Sequence, residues 1–102
     1  MLSTSRIKEL KALHRKKIRK QQNQILLEGN RLIDQALSAN ANIEEVWLTK
    51  KNLKSVNGQI LLQKIKGNNI SWSITPEKII RQLSDSLNDQ GIIALAPIPT
   101  YD

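Results

Sequence analysis

Basic side chains dominate the start of this chain, and they are the residues whose chemistry is easiest to read. Eight of the sixteen Lys and Arg residues lie in residues 1–23, together with one acid, Glu9. The rest of the chain carries equal numbers of basic and acidic side chains, so the formal charge of +7 belongs to this segment. A local positive excess is typical of a surface that contacts a polyanion such as nucleic acid.

Phosphate contact is therefore the function that we predict for the basic segment, because Lys and Arg bind nucleic acid without reading its bases. A lysine-rich face that is merely solvated remains an open alternative. A membrane-surface helix is disfavoured, since the apolar stripe is narrow and lacks aromatic residues. The predicted RNA-binding residues are Arg6, Lys8, Lys11, Arg15, Lys16, Lys17, Arg19, Lys20 and, in a later helix, Arg31.

No combination of residues predicts catalysis. The chain has one histidine and no cysteine, and no phosphate-binding glycine loop or HExxH motif is present. His14 lies on an apolar helical stripe, which favours a packed, hydrogen-bonded histidine. Ser84-Asp85 is interpreted as a cap or turn, because no base is placed to activate the serine. We therefore expect no catalytic, cofactor-binding or metal-binding residue in this chain.

The two tryptophans could stack on bases, but both fall in predicted strands. Trp72 alternates with core-facing isoleucines, which favours packing in the core. The role of Trp47 stays open.

The elements that must position these residues begin with a helix over residues 5–20. Its narrow apolar stripe contains Ile7, Leu10, His14 and Ile18, with Leu13 beside it. Next, the unbroken run Ile25–Leu27 predicts a strand buried on both faces.

A tight turn at Glu28 and Gly29 leads from that strand into a helix whose apolar face contains Leu32, Ile33, Ala36 and Leu37. Glu28 is expected to face the positive end of this helix.

Three further strands and two helices follow. Strands are predicted over residues 44–49, over 70–74 with one buried face, and over 92–96. Residues 50–57 are interpreted as a polar stretch ending in a turn at Asn57-Gly58. Ile60, Leu61 and Ile65 mark a short helix that ends at Gly67. Thr75 and Pro76 predict the capped start of the last helix. The apolar face of that helix contains Ile79, Ile80, Leu83 and Leu87.

This alternation of helix and strand predicts one domain with helices on both faces of a central, mostly parallel sheet of about four strands. No apolar run approaches the length of a membrane span. The absence of cysteine is consistent with a reducing compartment, so we expect a cytoplasmic location.

The order of these pieces resembles the N-terminal substrate-binding domain of the SpoU family of RNA 2′-O-ribose methyltransferases. The family's strand ending in Glu-Gly before an amphipathic helix is matched by Glu28 and Gly29. Its Leu-Ser-Asp segment, followed by Gln-Gly and an apolar strand, is matched by Leu83, Ser84, Asp85, Gln90 and Gly91. We expect these seven motif residues to be structural.

The resemblance implies a three-layer α/β/α fold like that of the kink-turn-binding ribosomal proteins. It implies an RNA substrate-binding domain over residues 1–96, with its basic helix at 5–20 and its core at 24–96. Residues 97–102 would begin a linker to a knotted catalytic domain that is not in this chain. The parent enzyme would methylate RNA with S-adenosylmethionine and dimerise through that other domain. The present chain would be monomeric, hold no cofactor and position structured RNA, expected to be ribosomal.

A stand-alone, non-enzymatic RNA-binding protein related to the kink-turn-binding ribosomal proteins is the alternative. A DNA-binding regulator is disfavoured, because a buried strand follows the first helix where a recognition helix would be needed.

Overall fold

The computed structural model describes residues 2–86 and 89–99. Leu87, which was predicted on the last helical face, therefore lies outside the described residues, as do Asn88 and residues 100–102 of the expected linker. The helices are α1 (Thr4–Ala12), α2 (Lys16–Gln22), α3 (Asn30–Ser38), α4 (Lys50–Lys54), α5 (Val56–Gly67) and α6 (Glu77–Leu83). The strands are β1 (Gln24–Glu28), β2 (Glu45–Leu48), β3 (Ser71–Ile74) and β4 (Ile92–Pro97).

The four strands form one sheet in the order β1-β4-β2-β3. Strand β4 is antiparallel to both of its neighbours, and only β2 and β3 are parallel. The prediction of a mostly parallel sheet is therefore wrong. The reason is that β4 begins at the end of the sheet where β1 and β2 finish, so that Ile92 pairs with Leu48 there. The alternation of elements in the sequence does not determine at which end of the sheet the next strand begins.

The sheet carries a separate hydrophobic core on each face. Ile92, Ala94 and Ala96 of β4 point into the α3/α5 core, which also contains Ile33, Val46, Leu48, Leu61, Leu62 and Ile65. Ile93 and Leu95 alternate with them and point into the α1/α6 core, which also contains Leu10, Leu13, Trp47, Ile80 and Leu83. This arrangement confirms the three layers, because every second residue of a strand faces the same side.

Strand β1 lies at an edge of the sheet. Leu26 packs against the α1/α6 core and Leu27 against the α3/α5 core, as expected for a strand with both faces covered. Every residue of β1 is nevertheless only half-buried. Both faces of β1 are thus covered as predicted, but its residues are not fully buried, since β1 has a hydrogen-bonded neighbour on one side only.

The basic segment folds as two helices, so the prediction of one helix over residues 5–20 is wrong. Helix α1 ends at Ala12 with Leu13 as its C-cap residue, and Arg15 is extended at φ −92° and ψ 127° before α2 begins. Leu13 is buried, and the His14 ring nitrogen Nε2 lies 2.6 Å from the Leu83 carbonyl oxygen at the end of α6. Contacts with α6 thus favour a break that the local periodicity does not reveal.

Residues 50–57, which were predicted to be a polar stretch, are helical instead. Thr49 caps α4 by accepting a hydrogen bond from the Asn52 amide, and Ser55 caps α5 by accepting one from the Gly58 amide. Gly58 lies in the first turn of α5 and does not form the predicted turn. It has no room for a side chain, because an ideal Cβ would lie 1.9 Å from the Asn52 carbonyl oxygen.

Some residues predicted on apolar faces are exposed. Leu32 is 45% exposed, Ile60 53% and Ile74 47%. The actual core-facing side of α3 is Ile33 with Ala36 and Leu37. Among the other predicted stripe residues, Leu10, Leu61, Ile65, Ile80 and Leu83 are buried. Ile7, Ile18 and Ile79 are half-buried against the α1/α6 core.

Helix α6 begins without the predicted hydroxyl cap. Pro76 is its N-cap residue, and the buried Thr75 makes no capping bond. Its hydroxyl lies 3.5 Å from the Ser73 carbonyl oxygen instead.

Candidate nucleic-acid interface

Helices α1 and α2 present most of their basic side chains to solvent. Lys8, Lys11, Arg15, Lys16, Lys17 and Lys20 are exposed, whereas Arg6 and Arg19 are half-buried. Arg6 forms an ion pair with Glu9 at 3.1 Å. Within residues 2–86 and 89–99, the other seven basic residues of this segment form no ion pair with an acidic side chain. The charge of the six exposed ones is therefore available to an outside anion.

Arg19 has a structural contact of its own. Its Nη1 atom donates to the carbonyl oxygens of Leu13 and His14, at 3.0 and 2.9 Å. These carbonyls lie at the break between α1 and α2, where the helical hydrogen-bond ladder is interrupted. Arg19 thus fixes the break, and a substitution there would alter the fold of the segment as well as its charge.

His14 is packed and hydrogen-bonded, which confirms the structural interpretation of this residue. Because the Leu83 carbonyl can only accept, Nε2 of His14 carries the proton in this contact. The bond ties the break between α1 and α2 to the end of α6.

The two halves of the sequence motif meet in the fold. The Glu28 carboxylate accepts hydrogen bonds from the Ser84 hydroxyl at 2.5 Å and from the Asp85 amide at 3.0 Å. The expectation that Glu28 faces the start of α3 is wrong, because its oxygens bond to the segment that follows α6. Leu83 is buried directly before this contact.

The side chain of Gln90, not that of Glu28, contacts the start of α3. Its Oε1 atom accepts a hydrogen bond from the Asn30 amide at 3.0 Å. Gly29 has φ +96°, and an ideal Cβ on it would lie 3.0 Å from the same Oε1 atom. Gly91 has φ +76°, and an ideal Cβ there would lie 2.5 Å from the Thr49 hydroxyl oxygen. Both glycines therefore allow a positive φ and a close approach of chain segments.

Asn52 is bonded to the same group of residues, and the sequence analysis did not select it. Its Nδ2 atom donates to the Asn30 side-chain oxygen at 2.9 Å and to the Gln90 carbonyl oxygen at 2.8 Å. Its Oδ1 atom is buried and accepts no hydrogen bond within the described part of the chain. The sequence signal that could have revealed it is an uncharged amide among the lysines of KKNLK, since asparagine is a poor helix former.

The remaining predicted RNA-binding residue, Arg31, is exposed in the first turn of α3. A second group of exposed lysines, in α4, was not selected by sequence reasoning. Lys50, Lys51 and Lys54 of α4 are all exposed and form no ion pair with an acid among the described residues. They were overlooked because the basic and acidic residues after residue 23 are equal in number, so that part of the chain shows no net charge.

Trp47 is 1% exposed, so it is closed to base stacking. Trp72 is half-buried against the α3/α5 core, and the Lys66 ammonium lies 5.3 Å from the centre of its ring. No helix among the described residues is long and apolar enough to cross a membrane. In the same part of the chain, no three His, Asp or Glu residues cluster as metal ligands would.

Comparison with known proteins matches residues 4–94 to the family described as the MRM3-like substrate binding domain. An uncharacterised tRNA/rRNA methyltransferase of Synechocystis sp. is 25% identical over 88 residues, which is 86% of this chain and 31% of that protein.

Two solved structures share the fold. One is an RNA 2′-O ribose methyltransferase with a TM-score of 0.82 and 31% identity, covering 95% of this chain and 36% of that one. The other is the SpoU methyltransferase AviRb from Streptomyces viridochromogenes with the cofactor AdoMet, with a TM-score of 0.80 and 16% identity, covering 98% of this chain and 37% of that one. The chain thus spans about a third of the length of the relatives that it matches.

Proposed function

The chain belongs to the family of MRM3-like substrate binding domains, and from that membership we propose that it is the RNA-recognition domain of an RNA 2′-O-ribose methyltransferase. The match over residues 4–94 is the observation that carries the proposal. The structural likeness to an RNA 2′-O ribose methyltransferase over 95% of this chain supports it. The family description concerns substrate binding, and the exposed cations of α1 and α2 are suited to that task.

The proposal divides the work of the parent enzyme. This domain holds structured RNA, which we take to be ribosomal, and S-adenosylmethionine supplies the methyl group in a part of the enzyme outside this domain. That other part would also form the homodimer, with the present domain monomeric by itself. The proposal includes a cytoplasmic location, which the cysteine-free sequence fits. It also keeps residues 1–96 as the RNA-binding unit and residues 97–102 as the start of a linker.

Phosphate contact by α1 and α2 is the physical basis of the proposed binding. The proposed contacts are Arg6, Lys8, Lys11, Arg15, Lys16, Lys17, Arg19, Lys20 and Arg31. Exposed lysines without acidic partners attract phosphates at long range and release counterions when they bind. RNA recognition of this kind depends on shape, phosphates and 2′-hydroxyls more than on base edges in a groove.

The test replaces Lys16, Lys17 and Lys20 by glutamine and measures binding to structured ribosomal RNA fragments at two salt concentrations. Arg19 is left intact because it fixes the break between α1 and α2. We expect weaker binding to every fragment alike. The slope of log affinity against log salt should fall by about 0.7 to 0.9 for each phosphate that a lysine no longer neutralises.

The matched control carries the same charge change on the other helices, as Lys64→Gln, Lys66→Gln and Lys78→Gln. All three are exposed. Lys64 gives up an exposed ion pair with Asp34 and Lys66 gives up its contact with the Trp72 ring, and at exposed positions each contributes little to stability. Both triple variants should keep the melting temperature of the unmodified chain to within a few degrees. Equal loss of affinity in both variants would contradict specific contact by α2, and unchanged affinity in the α2 variant would refute it.

A further inference from the structure

Strand β3 forms one edge of the sheet, and β2 is its only hydrogen-bonded neighbour. Ser71 and Ser73 are exposed, and Ile74 has 47% of its surface open to solvent. The outer side of this strand thus lies open in the part of the chain that the structure describes.

The backbone groups of β3 point alternately to β2 and to the open edge. The two strands are parallel with Leu48 opposite Ile74, and the Thr75 amide donates to the Leu48 carbonyl oxygen at 2.8 Å. In a parallel pair, one residue directs both its amide and its carbonyl to the neighbouring strand, and the next residue directs both away from it. The amides and carbonyls of Trp72 and Ile74 therefore point outward, and they form no hydrogen bond within the described ranges. Such an edge can accept an extended chain as a further strand.

A pocket of about 220 Å³ opens beside this edge, on the α1/α6 side of the sheet. Leu2, Pro76 and Ile79 supply apolar walls, and Trp47 and Ser73 also border it. In an added strand every second side chain would point to this side of the sheet. The pocket is large enough for one long side chain from such a strand.

Glu45 lines the same pocket and has no partner for its charge. Its side chain is half-buried, and its carboxylate forms no ion pair or hydrogen bond within residues 2–86 and 89–99. The carboxylate of the preceding Glu44, by contrast, accepts a hydrogen bond from Gln24 Nε2 at 2.9 Å. Apolar walls beside an unpaired carboxylate match the aliphatic stem and charged head of a lysine or arginine.

The other side of β3 is apolar. Trp72 is half-buried against the α3/α5 core, with the Lys66 ammonium 5.3 Å from the centre of its ring. Ile74 lies two residues further along and so faces the same side. These two side chains offer a strip on which apolar side chains of an added strand would pack as cross-strand neighbours.

We propose that β3 binds an extended segment of another protein as a fifth strand of the sheet, with a lysine or arginine of that segment in the pocket beside Glu45. A second copy of this chain fits less well, because its own edge, Ser71–Ile74, has no basic side chain to place there. The inference goes beyond RNA recognition, since none of these residues is among the proposed phosphate contacts.

The test uses a synthetic nine-residue peptide of alternating threonine and valine, capped at both ends, with lysine in place of the central threonine. A matched peptide carries glutamate at that position. Binding to the unmodified chain is followed by NMR at about 0.15 M salt, where distant charges are screened over about 8 Å. We expect the lysine peptide to shift the Trp72 and Ile74 amide signals and to bind about tenfold or more tightly than the glutamate peptide. The net charge of the chain would by itself favour the opposite order.

Glu45→Gln removes the charge of the pocket and should abolish the preference for lysine. Glu44→Gln is the matched control, because it makes the same change at the adjacent exposed position and should keep the preference. Melting curves of both variants check that the fold is retained.

Two further lysine peptides test the backbone contact without any change to the chain. One carries an N-methyl group on the lysine amide and the other on the amide of the next valine. Because successive amides of a strand point to opposite sides, only one of these two peptides should lose its binding.

Three results would each overturn the proposal. They are lysine and glutamate peptides that bind alike or not at all, a Glu45→Gln variant that keeps the preference, and two methylated peptides that bind equally. All of them leave RNA binding by α1 and α2 standing, since no RNA takes part in these measurements.

Discussion

Gly29 shows how one residue joins the local turn to the long-range fold. Its φ of +96° and ψ of 151° belong to a region that only glycine adopts without strain. The same residue leaves space for the Gln90 side chain, which caps α3 from a part of the chain sixty residues later. The Glu-Gly and Gln-Gly motifs therefore contact each other in the fold.

Gly29→Val should destabilise the chain by more than ~1 kcal/mol, because valine is strained at this φ and its Cβ would meet Gln90. Thermal melts measure the change. Gly67→Ala is the matched control, since Gly67 lies in the last turn of α5 with nothing within 4 Å of an added Cβ. Alanine there should be neutral or stabilising by up to about 1 kcal/mol. An unchanged melting temperature for Gly29→Val would contradict the need for glycine.

At the scale of elements, the break between α1 and α2 changes how the basic segment is understood. A single helix would display one continuous basic face, whereas the break directs Leu13 and His14 onto α6. Arg19 supplies the hydrogen bonds that the interrupted backbone lacks. One basic residue of the segment is thus part of the fold, and the exposed lysines around it are not.

Arg19→Ala should therefore cost about 1–2 kcal/mol of folding stability, because it leaves two half-buried carbonyls without a charged donor. Lys17→Ala, in the same helix and with the same change of charge, should alter stability by about 0.5 kcal/mol or less. Urea denaturation of both variants measures the difference. Equal stabilities would mean that the Arg19 hydrogen bonds contribute nothing measurable.

At the scale of the whole molecule, two cores share one sheet. Successive residues of β4 enter opposite cores, so neither core can lose its packing without disturbing the strand that serves the other. Cooperative unfolding of the whole domain follows from this arrangement.

Ile33→Ala and Ile80→Ala each remove a fully buried side chain, one from each core, and each should cost about 2–5 kcal/mol. In a Trp72→Phe background, where Trp47 of the α1/α6 core is the only tryptophan left, the far-UV circular dichroism and the fluorescence should shift together in both variants. Leu32→Ala, the exposed neighbour of Ile33, should change stability by less than about 1 kcal/mol. A fluorescence transition that stays in place for Ile33→Ala while the dichroism moves would indicate two independent units.

The sequence by itself determined the features that depend on neighbouring residues. Periodicity placed α3, α5 and α6 and the three strands after β1, and the switch at Gly29 identified a turn that needs positive φ. The resemblance carried by Glu28, Gly29, Leu83, Ser84, Asp85, Gln90 and Gly91 also led to the family that residues 4–94 match. Local spacing is sufficient for such features, because the physical cause lies within a few residues.

Only the tertiary structure decided the direction of β4, the break after Leu13 and the hydrogen bonds of Asn52. Each depends on a contact between parts of the chain that are distant in sequence: Leu48 with Ile92, His14 with Leu83, and Asn52 with Asn30 and Gln90. A pattern within one segment describes that segment's faces but does not say which other segment will cover them. The charge sum shows the same limit, since equal numbers of basic and acidic residues after residue 23 do not reveal where in the fold each charge lies.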